Sequence, residues 1–301
     1  MMRVKVILNP YANRWGAQER QTAVTAACRS AGLVFDVHVT QRPGEAIEVA
    51  RTAVSEDYQG VIAAGGDGTI SEVANGLLLA AVEGETTLPL GIFPIGSAND
   101  FAKMLGFPAD LDMAARYMAT GQTRQIDVGR IVVDGRVHYF DNNSALAMEP
   151  MVTLEHIKIT RISGEMRYLV ALVRGIVKLK AWQMHISWDG GGYEGPTFLL
   201  SVCNGPRTGG FMMSPGAEFT DGLLNYVLAP EVSKGTFLNM LVRLMRGTHL
   251  DHPKVMSGAT RRLEIRSQPG TPIHSDGEIL SEAAESIIYE VLPGKLTLLG
   301  G

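Results

Sequence analysis

Two cysteines in 301 residues, Cys28 and Cys203, are too few and too far apart for a disulfide framework, and no CxxC pair or Cys/His ligand spacing accompanies them. Both read as reduced core residues of a cytosolic protein. No run of about 18 apolar residues occurs, as a membrane-spanning helix would need. The best stretch, Leu169 to Val177, is broken by Arg174 and Gly175. The apolar run at the N-terminus carries Lys5 and stops at Asn9-Pro10, too short for a signal-peptide core, and reads as a first strand. A basic excess is also missing: 27 Lys and Arg face 31 Asp and Glu, a net charge of −4 that excludes a broad nucleic-acid-binding surface. The Walker A pattern is absent, since Gly294-Lys295 is followed by Leu296.

What is present is a chain 46% hydrophobic and 19% charged, which excludes disorder and suffices for two ordinary domains with buried cores. As far as about Thr123, strand and helix signals alternate, the texture of parallel βαβ units. Strands are expected at Val4 to Leu8, Phe35 to Thr40, Gly60 to Ala64 and Leu88 to Pro94, with helices near 18–31, 43–55, 70–81, 98–105 and 111–120. Beyond Thr123, short β-runs separated by Asp-Gly and Gly-rich turns take over. These include Arg130 to Val133, Val137 to Phe140, His185 to Trp188, Thr197 to Cys203, Leu223 to Leu228, Arg262 to Ile265 and Ile287 to Leu292, with helical stretches at Tyr168 to Leu179 and Lys234 to Arg246. The expected architecture is an N-terminal Rossmann-like parallel-sheet domain over 1–124, followed by a mostly antiparallel β-sandwich domain over 125–301.

The segment Val61-Ile62-Ala63-Ala64-Gly65-Gly66-Asp67-Gly68-Thr69-Ile70 carries the strongest chemical signal: a buried strand enters a glycine turn that opens a helix. Backbone N–H groups there can approach an anion, and the helix terminus adds unpaired donors, so a nucleotide phosphate is expected. Asp67 would repel phosphate unless it binds metal, takes a proton or orients a donor; the plain alternative is a helix cap. A second loop, Pro94-Ile95-Gly96-Ser97-Ala98-Asn99-Asp100, follows the next strand, with Ser97 as phosphate ligand or simple capping hydroxyl. In a parallel sheet the C-terminal strand ends share one crevice, so both loops and Asn9-Pro10 should line one site. Gly190 to Gly195 matches GxGxxG formally but precedes Pro196 and a β-run, so it reads as a hairpin connection. His249-Leu250-Asp251-His252 reads as a solvated loop rather than a metal pair.

Taken in order, Gly65-Gly66-Asp67-Gly68-Thr69 with Glu72-Val73 and Gly76-Leu77, Pro94 to Ala102, Phe140-Asp141-Asn142, Asn204-Gly205, Gly209-Gly210, Pro215, Asp221-Gly222-Leu223-Leu224 and Asp276-Gly277-Glu278 resemble the signature of the diacylglycerol, sphingosine and ceramide lipid kinases, of the bacterial diacylglycerol kinase catalytic-domain type. The resemblance spans essentially the whole chain. It implies ATP-dependent phosphorylation of a lipid hydroxyl, with diacylglycerol the leading acceptor and phosphatidylglycerol, a sphingoid base or ceramide open. It places ATP contacts on Asn9, Pro10 and Asn13 of the first loop, on Thr40, on Gly65, Gly66, Asp67, Gly68, Thr69, Ile70 and Ser71, and on Ser97. Mg²⁺ falls on Asp221 with the carbonyls of Glu218 and Leu223, and the general base on Asp276 or Glu278, with Asp67 organising Mg²⁺-ATP and water, though these roles are exchangeable. By themselves, Asp276-Gly277-Glu278 also suit a type I′ or II′ turn. Three departures stand out: Asn13 where the family ends in glycine, Ser97 for threonine, and Ala147 and Glu149-Pro150 where a glycine and an aspartate are usual. Alternatives are a kinase of a soluble acceptor, since NAD kinases and phosphofructokinases share a similar Gly-Gly-Asp-Gly turn, or a catalytically silent nucleotide- or lipid-binding regulator.

Partners expected from this reading are a lipid at a membrane surface and no nucleic acid; a homodimer is left open. The place is the cytoplasm, with peripheral contact at the inner face of the membrane in phospholipid biosynthesis. Lys158, Arg161, Arg167, Arg174, Lys178 and Lys180 interleave with apolar residues as a basic amphipathic stretch suited to an anionic bilayer or to a solvated helix face. The helix near Phe237 to Arg246 is a second such candidate.

Overall fold

The computed structural model describes residues 2–12, 19–159, 170, 174–175 and 178–300, without the side chains of 156 and 157. It resolves into two compact units: 1–128 with 219–221 and 292–301, and 129–218 with 222–291. The end of the chain thus returns to the first unit.

In the first unit, β1 (Arg3–Leu8), β2 (Val34–Val39), β3 (Gly60–Gly65) and β4 (Leu90–Pro94) pair in parallel in the order β2-β1-β3-β4. The end of β13 (Glu278–Leu299) adds a further parallel pair through Leu298 and Leu90. Every residue of β3 and β4 is buried, consistent with their continuous apolar sequence, because parallel strands covered on both faces have no solvent side on which to alternate. Helices Gln21–Ser30, Glu45–Ala53, Asp67–Ala80, Asp100–Met104 and Leu111–Ala119 connect them. The Asp67–Ala80 helix presses closely on its neighbour: a Cβ at Gly76 would clash with the Ile47 carbonyl and the Ala50 side chain.

Glu72 links the same two helices, accepting the Gly44 amide at 3.1 Å at the start of Glu45–Ala53. Burial pushes the Glu72 carboxyl above the ordinary carboxylate value, with the Gly44 and Ala46 amides opposing that rise. A raised folded value favours the protonated form, so this group's contribution to stability is complete below about pH 4.5 and is lost as pH rises through the folded value. Glu72→Gln should therefore match the parent near pH 4 and exceed it in stability at pH 7, as read by denaturant unfolding across that range. A pH-independent difference would contradict this.

In the second unit the ladders are antiparallel. The end of β5 (Thr123–Val133) and β6 (Arg136–Phe140) form a hairpin through Asp134 and Gly135, both with positive φ, 46° and 85°. Gly129 lies under the Phe140 ring, where any Cβ would collide. Further strands are β7 (Asn143–Ala147), β8 (Trp182–Trp188), β9 (Gly191–Cys203), β10 (Leu224–Pro230), β11 (Met256–Thr260) and β12 (Arg262–Ser275). β7 pairs β9, β9 pairs β8, β8 pairs β12, and β12 pairs β7 again, so four strands close a ring. Phe140, Trp182, Leu200, Leu263 and Tyr289 belong to the core cluster of this unit. Helices Met148–Lys158 and Lys234–Met245 pack a smaller cluster containing Phe198 and Phe237, whose rings meet edge to face.

The GxGxxG match falls in the β8–β9 hairpin and its following strand, with no helix after it. Cys28 and Cys203 are buried free thiols, each pushed up to about 12 by burial, which makes them poor nucleophiles. The helix expected over Tyr168 to Leu179 lies largely outside the described residues.

Candidate active site

Three loops leave the C-terminal ends of β1, β3 and β4 in the first unit, and hydrogen bonds tie them together. Asn9 donates its amide N–H to the Ala64 carbonyl at 3.0 Å and its side-chain Nδ2 to Thr69 Oγ1 at 2.9 Å, while its Oδ1 accepts from the Tyr11 amide at 2.9 Å. The short Asx side chain thus orders the first loop against the glycine turn. Thr40, buried at the end of β2, donates its amide to the Leu8 carbonyl at 2.9 Å. Pro10 is buried beside them.

The glycine turn packs on the next loop backbone to backbone. Ile95 donates its amide to the Gly65 carbonyl at 3.0 Å, and a Cβ at Gly96 would fall on Gly66 Cα. The Gly96 amide donates to Asn99 Oδ1 at 2.9 Å, and Asn99 Nδ2 donates to the Pro94 and Gly96 carbonyls at 3.0 and 3.1 Å. Asn99 itself holds φ at 54°, a left-handed conformation that asparagine tolerates. Ser97 is exposed on this loop.

Asp67 does not cap its own helix. Gly66 is the N-cap, in extended conformation, and as a glycine it has no side chain with which to close the first turn of Asp67–Ala80. The Asp67 carboxylate instead accepts the Phe101 amide at 3.0 Å, bridging to the start of Asp100–Met104. Gly68 differs from its neighbours: it is exposed, its φ is not positive, and an added Cβ would meet nothing within 4 Å. The fold makes no demand for glycine at 68. By contrast, a Cβ at Gly65 would overlap Thr69. Thr69, Ile70 and Ser71 are buried in the first turns of the helix, and Asn13 lies outside the described residues.

In the second unit, Asp276 and Gly277 hold φ at 47° and 87°, both positive, as in a type I′ turn joining β12 to β13. The Asp276 carboxylate accepts three backbone amides: Asp141 at 3.1 Å, Asn142 at 3.2 Å and Asn143 at 2.9 Å. Its own amide donates to the Asn143 carbonyl at 2.8 Å. Asp276 therefore organises the 141–143 loop. Glu278, two residues on, is exposed.

Asn143 extends this network inward. Its Nδ2 donates to Ser201 Oγ at 3.1 Å and faces Glu149 Oε2 at 3.5 Å, and its Oδ1 accepts from Thr208 Oγ1 at 2.9 Å. His274 Nε2 lies 3.4 Å from Glu149 Oε2. Burial raises the Tyr289 phenol, which bonds Ser144 Oγ at 2.8 Å. Sequence reasoning does not find Asn143, Ser201, Thr208 or His274; only for Ser201 is there a signal, a polar residue set into the apolar end of β9.

For the expected Mg²⁺ ligands, Asp221 belongs to the first unit and Glu218 and Leu223 to the second. Asp221 and Glu218 are exposed and Leu223 is half-buried. Among the described residues no cluster of three or more His, Cys, Asp or Glu side chains is arranged to hold a metal. One carboxylate and two carbonyls are nonetheless the hard oxygen donors that Mg²⁺ takes while keeping several waters. No helix among the described residues is long and apolar enough to cross a membrane.

Comparison with known proteins gives this geometry its class. Residues 3–131 match the model of the diacylglycerol kinase catalytic domain, and residues 145–300 that of the YegS C-terminal NAD kinase beta sandwich-like domain. Diacylglycerol kinase of Bacillus subtilis (strain 168) is 28% identical over 92% of this chain and 90% of its own length. That of Staphylococcus carnosus (strain TM300) is 27% identical over 92% and 88%. A crystal structure of a diacylglycerol kinase from Bacillus anthracis str. Sterne superposes with a TM-score of 0.74 over 99% of this chain and 97% of that one, at 20% identity, a likeness of fold. The chain is thus a kinase, a transferase of phosphoryl groups, with a mixed α/β fold and a β-rich second part. Within that class it belongs to the diacylglycerol kinase family, carrying the catalytic domain and the sandwich-like domain in succession.

Proposed function

We propose that this protein transfers the γ-phosphate of ATP to a lipid hydroxyl, with diacylglycerol the leading acceptor. The observation that carries the reading is the Gly66–Gly68 turn: a helix start whose N-cap is itself a glycine, pinned to the Gly96 loop, with glycine at 68 where the fold itself needs none. Glycine there keeps the amide face open to a phosphate. The parallel layer beneath supports a nucleotide domain of Rossmann type.

Phosphoryl transfer is mainly positioning and charge neutralisation, with a base needed only for the hydroxyl proton. On this reading the turn amides hold phosphate oxygens, Asn9 and Asp67 fix the turn against its neighbours, and Glu278 accepts the acceptor's proton. Asp276, its oxygens engaged by three amides, positions the adjoining loop. Mg²⁺ would be held by Asp221 with the carbonyls of Glu218 and Leu223, and would offset phosphate charge.

The direct test is phosphate transfer from labelled ATP with Mg²⁺ to a lipid panel in mixed micelles, beside NAD and fructose 6-phosphate, with Asp67→Ala as control. A labelled lipid absent from the control is the expected result. Label on a soluble acceptor alone, or ATP binding with no product, would overturn it in favour of a soluble-substrate kinase or a silent binder. Gly68→Ala gives a second check: alanine's helix propensity should raise stability by about 0.5–1 kcal/mol, while ATP affinity falls on the order of tenfold by the factor that about 1.4 kcal/mol represents. Unchanged ATP affinity in that variant would remove glycine 68 from the phosphate site.

A further inference from the structure

Ala147, which stands where the family carries glycine, closes β7 with φ at 68°, a left-handed conformation that costs an alanine energy and a glycine none. Helix Met148–Lys158 begins at the next residue and carries Glu149 in its first turn. Glu149 is half-buried, and its Oε1 is closed to solvent with no hydrogen-bond partner among the described residues. The same holds for Nδ1 of His274, which is 4% exposed. Strained backbone and unpaired buried polar atoms both cost stability, and they persist where a site needs its groups held in place.

The contacts around Glu149 close a circuit. Its Oε2 lies 3.4 Å from His274 Nε2 and 3.5 Å from Asn143 Nδ2. A carboxylate only accepts, so it turns the NH₂ of Asn143 toward itself and leaves Oδ1 for the Thr208 hydroxyl, at 2.9 Å. The Asn143 backbone exchanges hydrogen bonds with Asp276: its amide donates to the carboxylate at 2.9 Å, and its carbonyl accepts the Asp276 amide at 2.8 Å. His274 stands two residues before Asp276 on β12, opposite Ala145 of β7. Glu149 thus meets both the 141–143 loop and the strand that enters the Asp276-Gly277 turn, and Glu278 lies immediately past that turn.

We infer that Glu149 and His274 are positioning residues for phosphoryl transfer: the pair holds Asn143 and, through Asn143 and Asp276, the turn that presents Glu278 to the acceptor hydroxyl. This role rests on the lipid-kinase reading. It is separate from nucleotide binding, because the glycine turn and its neighbouring loops belong to the first unit. The hold on Asn143 comes from the carboxylate's charge, so an uncharged residue of the same shape fills the space and loses the grip.

Phosphate transfer from labelled ATP to diacylglycerol in mixed micelles, with the full chain, tests the inference. Glu149→Gln and His274→Gln should each lower kcat about tenfold, the size of one hydrogen bond to a charged group, at the parent KM for ATP. The double variant should also lose about tenfold rather than about a hundredfold, since both side chains act through one contact. Added to Glu278→Gln, Glu149→Gln should cost nothing further, an outcome that general destabilisation would not produce. Amide hydrogen exchange over 141–143, read by mass spectrometry, should quicken in both single variants and needs no turnover. Parent-like kcat in Glu149→Gln, losses that multiply in the double variant or on top of Glu278→Gln, a raised KM for ATP that accounts for the loss, or unchanged exchange would each overturn the inference. His274 is buried, so if His274→Gln does not fold, Glu149→Gln decides, alone and with Glu278→Gln. Absence of labelled lipid from the parent overturns the lipid-kinase reading instead, and the exchange result then still shows whether the pair holds the loop.

Discussion

Asp276→Asn is expected to lower the melting temperature by about 5–15 °C and turnover on the order of 100-fold, about 2.7 kcal/mol of barrier. The parent carboxylate accepts from the amides of Asp141, Asn142 and Asn143. An asparagine offers one oxygen and one NH₂, so two of those donors can keep a partner, now uncharged, and the third meets another donor. Hydrogen bonds to charged groups are worth about 1.5–3 kcal/mol and neutral ones about 1, which puts the cost at about 2–4 kcal/mol. Backbone strain does not contribute, because asparagine accepts the φ of 47° at this position. Thermal unfolding by circular dichroism reads the stability and the lipid assay reads the turnover. Glu278→Gln separates the roles: it should lose turnover at parent stability, since Glu278 is exposed. Parent-like melting in Asp276→Asn would refute the loop-holding role, and parent-like turnover in Glu278→Gln would refute its role as base.

The second large effect is Gly96→Ala, for which nucleotide affinity should fall on the order of 100-fold, equivalent to about 2.7 kcal/mol. A Cβ at 96 would land on Gly66 Cα, 3.0 Å from Gly66 N and 2.8 Å from Asn99 Oδ1. Two of those contacts are backbone, which has no rotamer to change, so the loops after β3 and β4 must separate. Overpacking of this kind costs about 1–3 kcal/mol of stability. The displaced group is Gly66, the N-cap whose turn is assigned to phosphate, so binding suffers along with packing. Titration with ATP by calorimetry, beside Gly68→Ala, gives a paired result. The same added methyl should destabilise at 96 and stabilise at 68, and affinity for ATP should drop in both. Parent-like affinity in Gly96→Ala would show that the loop pair does not shape the nucleotide site.

The elements most legible in the sequence were those whose local signals agreed with their packing. β3 and β4 are apolar throughout because both faces are covered, and the glycine turn after β3 is followed by a helix as its residues imply. The β8–β9 hairpin was readable from Gly190 to Gly195 running into Pro196 and a β-run, and the Asp276-Gly277 turn from the dipeptide itself. Long strands were not. β12 runs from Arg262 to Ser275 through Gln268-Pro269-Gly270, and β13 from Glu278 to Leu299 through Pro293-Gly294, dipeptides that locally signal a stop. Register shifts between Arg266 and His274 absorb the misfit, and pairing with β7, β8 and β13 keeps the strand continuous. β7 and the Met148–Lys158 helix also escaped a local reading, since Asn143-Ser144 resembles a turn and Pro150 a break.

By itself the sequence determined which residue types stand where: the glycines and Asp67 of the phosphate turn, Ser97 on the next loop, and the Asp-Gly-Glu near the end. Those are local facts, fixed by what each side chain can do at a strand end or a turn. Only the tertiary structure decided that Asp67 reaches the Phe101 amide instead of capping its own helix, and that residues 292–301 join the first unit. It alone set Asp276 under three amides of a loop more than 130 residues earlier. Each depends on contacts between distant segments, and a carboxylate's partner is chosen by which donors the folded backbone brings within 3 Å or so, a distance no sequence spacing encodes.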